Sequence, residues 1–132
     1  MQKTYDYLKN VAPTYFLATV EDGNPRVRPF GTIDLFEDKL YIQTGKSKAV
    51  YKQIIDHPMV EISACAGPDW IRVECELVPD DRTEAKKHML DNYPMLRGMY
   101  DENDDETIVL YLKNAKATFE SLADKPSWTE TF

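Results

Sequence analysis

Two cysteines, Cys65 and Cys75, are too few for a disulfide framework, and neither stands at a metal-ligand spacing. Both are expected to be reduced, which points to the cytoplasm. Histidine is equally scarce. His57 and His88 are the only two, and neither has a sequence neighbour that would complete a metal site or a catalytic triad. Basic residues are outnumbered, 16 Lys and Arg against 23 Asp and Glu, for a net charge of −7. Binding a phosphate backbone needs a basic face, so no nucleic-acid partner is expected. No apolar run approaches the roughly 20 residues that span a bilayer. The first five residues lack the apolar core of a signal peptide, and no membrane association is expected. Repeats, linkers and low-complexity segments are absent, and the length fits one domain, residues 1–132. Asp101, Asn103 and Asp105 open like a calcium loop. Glu106 stands where that loop needs glycine and Leu112 where it needs a carboxylate, which leaves a solvated acidic loop.

What remains is an ordinary globular composition, 42% hydrophobic and 30% charged. Residues 2–12 predict a short helix ended by Pro13. Tyr15–Val20 predicts a strand apolar on both faces. After a turn at Glu21–Pro25, a second strand is expected from Arg26 to about Phe36, with Arg26, Arg28, Phe30, Thr32 and Asp34 on one face. Lys39–Thr44 predicts a third strand, and the three make an antiparallel meander in which the Arg28 strand pairs with the one ending at Thr44. A helix should follow from an N-cap at Ser47 through Asp56. Strands are expected at Met59–Ala66 and Trp70–Val78. A helix with a capping-box variant at Asp81 and Glu84 then runs to about Tyr93. Two more strands, Thr107–Lys113 and Ala115–Leu122, should be joined by a turn at Asn114. Six or seven strands in this order suggest a small closed or partly closed antiparallel barrel, mainly β with connecting helices. Too few helices remain to cover its apolar outer wall, so a homodimer is expected.

Cations concentrate in two places, Arg26-Val27-Arg28-Pro29-Phe30-Gly31 and Thr44-Gly45-Lys46-Ser47-Lys48. A helix N-terminus offers unpaired N–H groups and a partial positive charge, and so attracts anions. Lys46, Lys48 and the hydroxyls of Thr44 and Ser47 would complete a phosphate shell. The stretch is not a P-loop, because the first glycine and its spacing are missing. Arg28 lies deeper in its strand than Arg26 and requires an anionic partner if buried. Arg26 is assigned to solvent.

These stretches, with Leu40-Tyr41-Ile42-Gln43-Thr44, Gln53-Ile54 and Trp70-Ile71-Arg72-Val73-Glu74, resemble the pyridoxamine 5′-phosphate oxidase-like family of FMN-binding split barrels. The resemblance runs through nearly the whole chain in order and spacing. It implies a split-barrel fold and an FMN cofactor at a homodimer interface. Arg28 would reach the phosphate or ribityl chain. Pro29, Phe30 and Gly31 would run along the isoalloxazine ring, and Gln43 and Thr44 would also contact the flavin. Lys46, Ser47 and Lys48 would form the phosphate turn, which is one residue shorter than in the oxidase and leaves the main contact open between the two lysines. Trp70 would wall the ring from across the dimer. Two departures argue against pyridoxamine phosphate oxidation itself. The tail from Lys125 to Phe132 carries no arginine, and Ile33 stands near the place of a substrate lysine.

The resemblance thus implies an FMN-dependent oxidoreductase acting on a small molecule, with a reduced nicotinamide or a reduced flavin as donor. Its alternatives are a flavin-storing or flavin-sensing module without turnover, or a split barrel that takes deazaflavin or haem.

Overall fold

The computed structural model describes residues 1–132. The chain opens with helix α1, Gln2–Asp6, which continues as a π-helical stretch over Tyr7–Val11. The remaining elements are β1 (Tyr15–Glu21), β2 (Asn24–Phe30), β3 (Asp34–Phe36), β4 (Lys39–Gly45), α2 (Ala49–Asp56), β5 (Met59–Ala66), β6 (Asp69–Asp80), α3 (Thr83–Asn92), a 3-10 helix (Pro94–Gly98), β7 (Thr107–Ser121) and β8 (Trp128–Thr131). All strand pairs are antiparallel, in the order β2-β1-β5-β6-β7-β4-β3, with β8 added to β7. The sheet is open, with β2 at one end of the order and β3 at the other, which is the split-barrel architecture with eight strands rather than six or seven. No helix is long and apolar enough to cross a membrane.

The expected strand from Arg26 to Phe36 is in fact two strands. β2 ends at Phe30, Gly31–Ile33 crosses between sheet edges, and β3 starts at Asp34. The break follows from pairing, because β2 bonds to β1 while β3 bonds to β4 at the far end of the order. The opening meander is therefore two separate hairpins, and Arg28 does not pair with the strand ending at Thr44. Its partner is Leu17 on β1. Both hairpins turn in two residues with positive φ, Asp22-Gly23 and Glu37-Asp38, the geometry that matches strand twist.

Asn114 does not end a strand. β7 runs through it as one strand of 15 residues. Its φ of 51° marks a bulge, where the pairing slips from Glu74↔Lys116 to Glu76↔Lys113. Two caps also differ from expectation. α2 has Lys48 rather than Ser47 at its N-cap, and α3 has Arg82, neither with a side-chain capping bond. Asp81 instead binds Lys86 and Lys46.

The alternation expected of β5 and β6 is present. Val60, Ile62, Ala64, Ile71, Val73, Cys75 and Leu77 all join the main core, with Leu8, Tyr15 and Leu17. Cys65 is exposed and Cys75 buried. Cys75 pairs with Val60, five residues along β5 from Cys65, so the two thiols are not neighbours. Burial pushes the Cys75 thiol up to about 12, which suits an inert core residue.

A polar knot ties β6 to β3 and β4. Asp80 accepts from Tyr41 Oη at 2.8 Å and from Arg82 Nη2 at 2.8 Å, and Arg82 also pairs with Glu37 at 2.8 Å. Hydrogen bonds from Arg82 hold the Asp80 carboxyl down to about 2, against an ordinary 3.8. A depressed carboxylate stabilises the fold above its unfolded value and stops doing so as pH falls through the folded one. The melting temperature is expected to drop steeply between about pH 4 and pH 2, and less steeply in Asp80→Asn. Thermal unfolding followed by circular dichroism across that window checks it.

Candidate functional site

The crossover Gly31–Ile33 puts Gly31 and Thr32 on the floor of the largest opening in the molecule, a cavity of about 480 Å³. It is held from three sides. Tyr15 Oη donates to the Thr32 carbonyl at 2.5 Å, and the Gln43 amide donates to Thr32 Oγ1 at 3.0 Å. Tyr93 Oη accepts from the Ile33 amide and donates to its carbonyl, both at 3.1 Å. Buried Tyr15 and Thr32 and half-buried Tyr93 thus satisfy a stretch of backbone that no strand pairs, as buried amides require.

Seven of the ten residues expected at the site line this cavity: Arg28, Pro29, Phe30, Gly31, Gln43, Thr44 and Lys48. Phe30 lies against Tyr15, ring centroids 6.0 Å apart. At Gly31 an added Cβ would meet only the Pro13 carbonyl, at 3.9 Å. Nothing in the chain crowds that position, so the glycine leaves an open shelf beside Phe30 that a side chain would fill. A flat ring fits such a shelf.

Arg28 donates from Nη1 to the Leu17 carbonyl at 3.1 Å and to Thr19 Oγ1 at 2.7 Å, and from Nη2 to Gln53 Oε1 at 2.6 Å. Its acceptors are neutral oxygens rather than the carboxylate its burial called for. Glu21 is one step removed, accepting from Gln53 Nε2 at 3.2 Å. Desolvation lowers the Arg28 pKa and Glu21 partly offsets it. Three bonds leave two of its five N–H groups for a ligand. Asp34, expected on the same strand face as Arg28, is instead buried against His88 Nδ1 and Asn92 Nδ2, each at 2.7 Å. That contact gives His88 a structural partner invisible in the sequence.

The remaining three expected residues are drawn elsewhere. Lys46 pairs with Asp81 at 3.0 Å, which raises its pKa. Ser47 is bound by Glu106, whose carboxylate accepts from the Ser47 amide at 2.9 Å and from its hydroxyl at 2.5 Å. Trp70 lines a separate cavity of about 340 Å³ with Tyr7, Phe119 and Trp128. Lys48 is left as the free cation of the turn. It has no ion-pair partner, and its ammonium lies 5.9 Å from the Tyr100 ring centroid. It also precedes α2, whose first amides carry no side-chain cap.

The sequence reading missed the opposite wall. Tyr93, Met95, Leu96, Met99 and Tyr100, in and beside the 3-10 helix, close the cavity. Met95 and Met99 are each 74% exposed, an apolar display next to a polar floor. The only signal in the chain is its run of apolar residues after Pro94, which does not say what they cover. No carboxylate, histidine or cysteine lines the cavity. Its lining offers Arg28 and Lys48 to an anion and the shelf beside Phe30 and Gly31 to a planar apolar group.

Comparison with known proteins identifies the family and the fold. The family model described as pyridoxamine 5′-phosphate oxidase matches residues 1–94. No curated protein matches the chain. Among solved structures, a NimC/NimA family protein from Clostridium acetobutylicum is 37% identical over 100% of this chain and 92% of its own, with a TM-score of 0.95. A pyridoxamine 5′-phosphate oxidase-related, FMN binding protein from Nostoc punctiforme is 17% identical over 98% and 91%, with a TM-score of 0.66. A heme binding protein from Mycobacterium smegmatis, 13% identical over 92% of this chain and 53% of its own, has a TM-score of 0.68, so the fold is shared by proteins with different ligands. The family match over most of the length, together with the similarity to the clostridial protein, places this chain in the pyridoxamine 5′-phosphate oxidase family.

Proposed function

We propose that the protein is an FMN-dependent oxidoreductase acting on a small molecule. The observation that carries this reading is the gathering of seven residues from two separate stretches around one cavity, among them two cations with no carboxylate partner, Arg28 and Lys48. Arg28 and Lys48 hold the phosphate end, and the uncapped amides of α2 face the same anion. The backbone from Phe30 to Gly31 supports the ring, and Tyr15 and Tyr93 fix that backbone. Bound there, FMN would supply the electron and hydride transfer, while the protein supplies position and electrostatics. A reduced nicotinamide or a reduced flavin is the proposed donor.

A homodimer completes the proposal. Phe16 and Ala18 on β1 stand opposite Pro29 and Val27 on β2, so the four share one outward face. Phe16 is 48% exposed and Val27 67%. Pro29 belongs to both this apolar strip and the cavity, so a second copy seated on the strip would reach the cavity rim.

A second reading, a flavin-binding module without turnover, is favoured by a lining that holds no carboxylate, histidine or cysteine. The absence of histidine and cysteine from the same lining weighs against haem. Purified protein is expected to show a flavin absorption spectrum, or to quench added FMN fluorescence, and to sediment as a dimer at micromolar concentration. A colourless protein that leaves FMN fluorescence unchanged sinks the flavin reading. A haem or deazaflavin spectrum replaces it. Reduction of the bound FMN by NADH or NADPH, followed by reoxidation with candidate acceptors, separates enzyme from module.

A further inference from the structure

Glu106 occupies the turn between β4 and α2 in the manner of a bound anion. Its two carboxylate oxygens take the amide and the hydroxyl of Ser47, and its carbonyl takes the Lys46 amide at 2.7 Å. Gly45 is pressed against the same carboxylate. An added Cβ there would collide with Glu106 Oε2 and lie 3.3 Å from Tyr100 Oη. The pocket around the carboxylate is thus shaped by a glycine, capped by a hydroxyl and bounded by a cavity residue. These donors are the ones that a phosphate in this turn would use. Neither lysine of the turn neutralises Glu106, since Lys46 is held by Asp81 and Lys48 has no ion-pair partner.

We infer that Glu106 is a specificity-determining residue, a built-in anion that competes with a ligand phosphate for the β4–α2 turn. This rests on the cavity being the flavin site. A phosphate approaching Ser47 meets a like charge that already satisfies its donors, so it must either displace Glu106 or stay with Arg28 and Lys48. Both outcomes weaken binding of a phosphorylated flavin and leave an unphosphorylated one untouched. Glu106 therefore narrows the advantage of FMN over riboflavin.

Glu106→Gln removes the charge and keeps an oxygen that accepts from the Ser47 amide, so the turn retains its shape. Fluorescence titration of wild type and Glu106→Gln with FMN and with riboflavin reads the effect. FMN is expected to bind about tenfold tighter to the variant, as suits removal of one like charge at contact distance, with riboflavin unchanged. Equal FMN affinity in both proteins, or a parallel change for both flavins, overturns the inference. A parallel arm uses inorganic phosphate alone, read as a rise in melting temperature. The rise should be larger in Glu106→Gln than in wild type, and equal responses overturn the role of Glu106. If neither protein binds either flavin, the flavin reading fails by itself and the phosphate arm still decides about Glu106.

Discussion

Replacing Arg28 with alanine is expected to weaken FMN binding by about a hundredfold, the loss of two charge-assisted hydrogen bonds to the ligand. The guanidinium is fixed before any ligand arrives. Leu17, Thr19 and Gln53 hold three of its N–H groups and aim the rest. A pre-set fork spends little rotamer entropy on binding, which is why lysine is a poor substitute. Arg28→Lys keeps the charge but cannot bond the three oxygens and the ligand together, so it is expected to recover only a minor part of the affinity. The fold should survive both changes. Thr19 Oγ1 and Gln53 Oε1 still bond each other at 2.5 Å, and Arg28 is only partly buried. Fluorescence titration with FMN, beside thermal unfolding of the same samples, separates lost binding from lost structure. Arg28→Ala binding FMN like wild type would remove Arg28 from the site.

Tyr15→Ala is expected to destabilise the protein by about 4 kcal/mol, within the range for deleting a buried aromatic ring. Tyr15 has no exposed surface, lies against Phe30 and donates to the Thr32 carbonyl. Burial holds its phenol well above the ordinary value of 10, so it stays a donor at any pH the fold survives. Tyr15→Phe separates the two contributions. It keeps the ring and leaves the Thr32 carbonyl unpaired, which costs about 1–3 kcal/mol. Because that carbonyl is part of the cavity floor, Tyr15→Phe should also lower flavin affinity beyond what its stability loss alone would cause. Urea unfolding gives the first number and flavin titration of the folded variant the second. A Tyr15→Phe protein as stable as wild type would mean that the crossover does not depend on this bond.

Much of the fold was legible because it is written in period two. β5 and β6 alternate so regularly that their buried set follows from counting, and the Asp22-Gly23 turn announces a hairpin. Gly31 is where legibility stopped. A run of alternating residues from Arg26 to Phe36 reads as one strand, and nothing local says that its halves pair at opposite ends of the sheet. That choice depends on which strands lie nearby, a long-range matter. Asn114 misled in the other direction, since one residue at positive φ serves a turn or a bulge alike, and only the partner strand decides.

At the site the division is similar. The sequence by itself determined that cations gather at two stretches of an acidic chain, that one of those stretches begins a helix, and that the order of motifs resembles a flavin-binding family. Tertiary structure alone decided which of those cations are free. Asp81 neutralises Lys46, Glu106 occupies Ser47, and Lys48 is left facing the cavity with Arg28. It also supplied the wall from Tyr93 to Tyr100. The physical reason is that charge is a local property of a residue, while its pairing depends on partners tens of positions away. Ser47 and Glu106 are 59 residues apart, and no spacing in the chain brings them together.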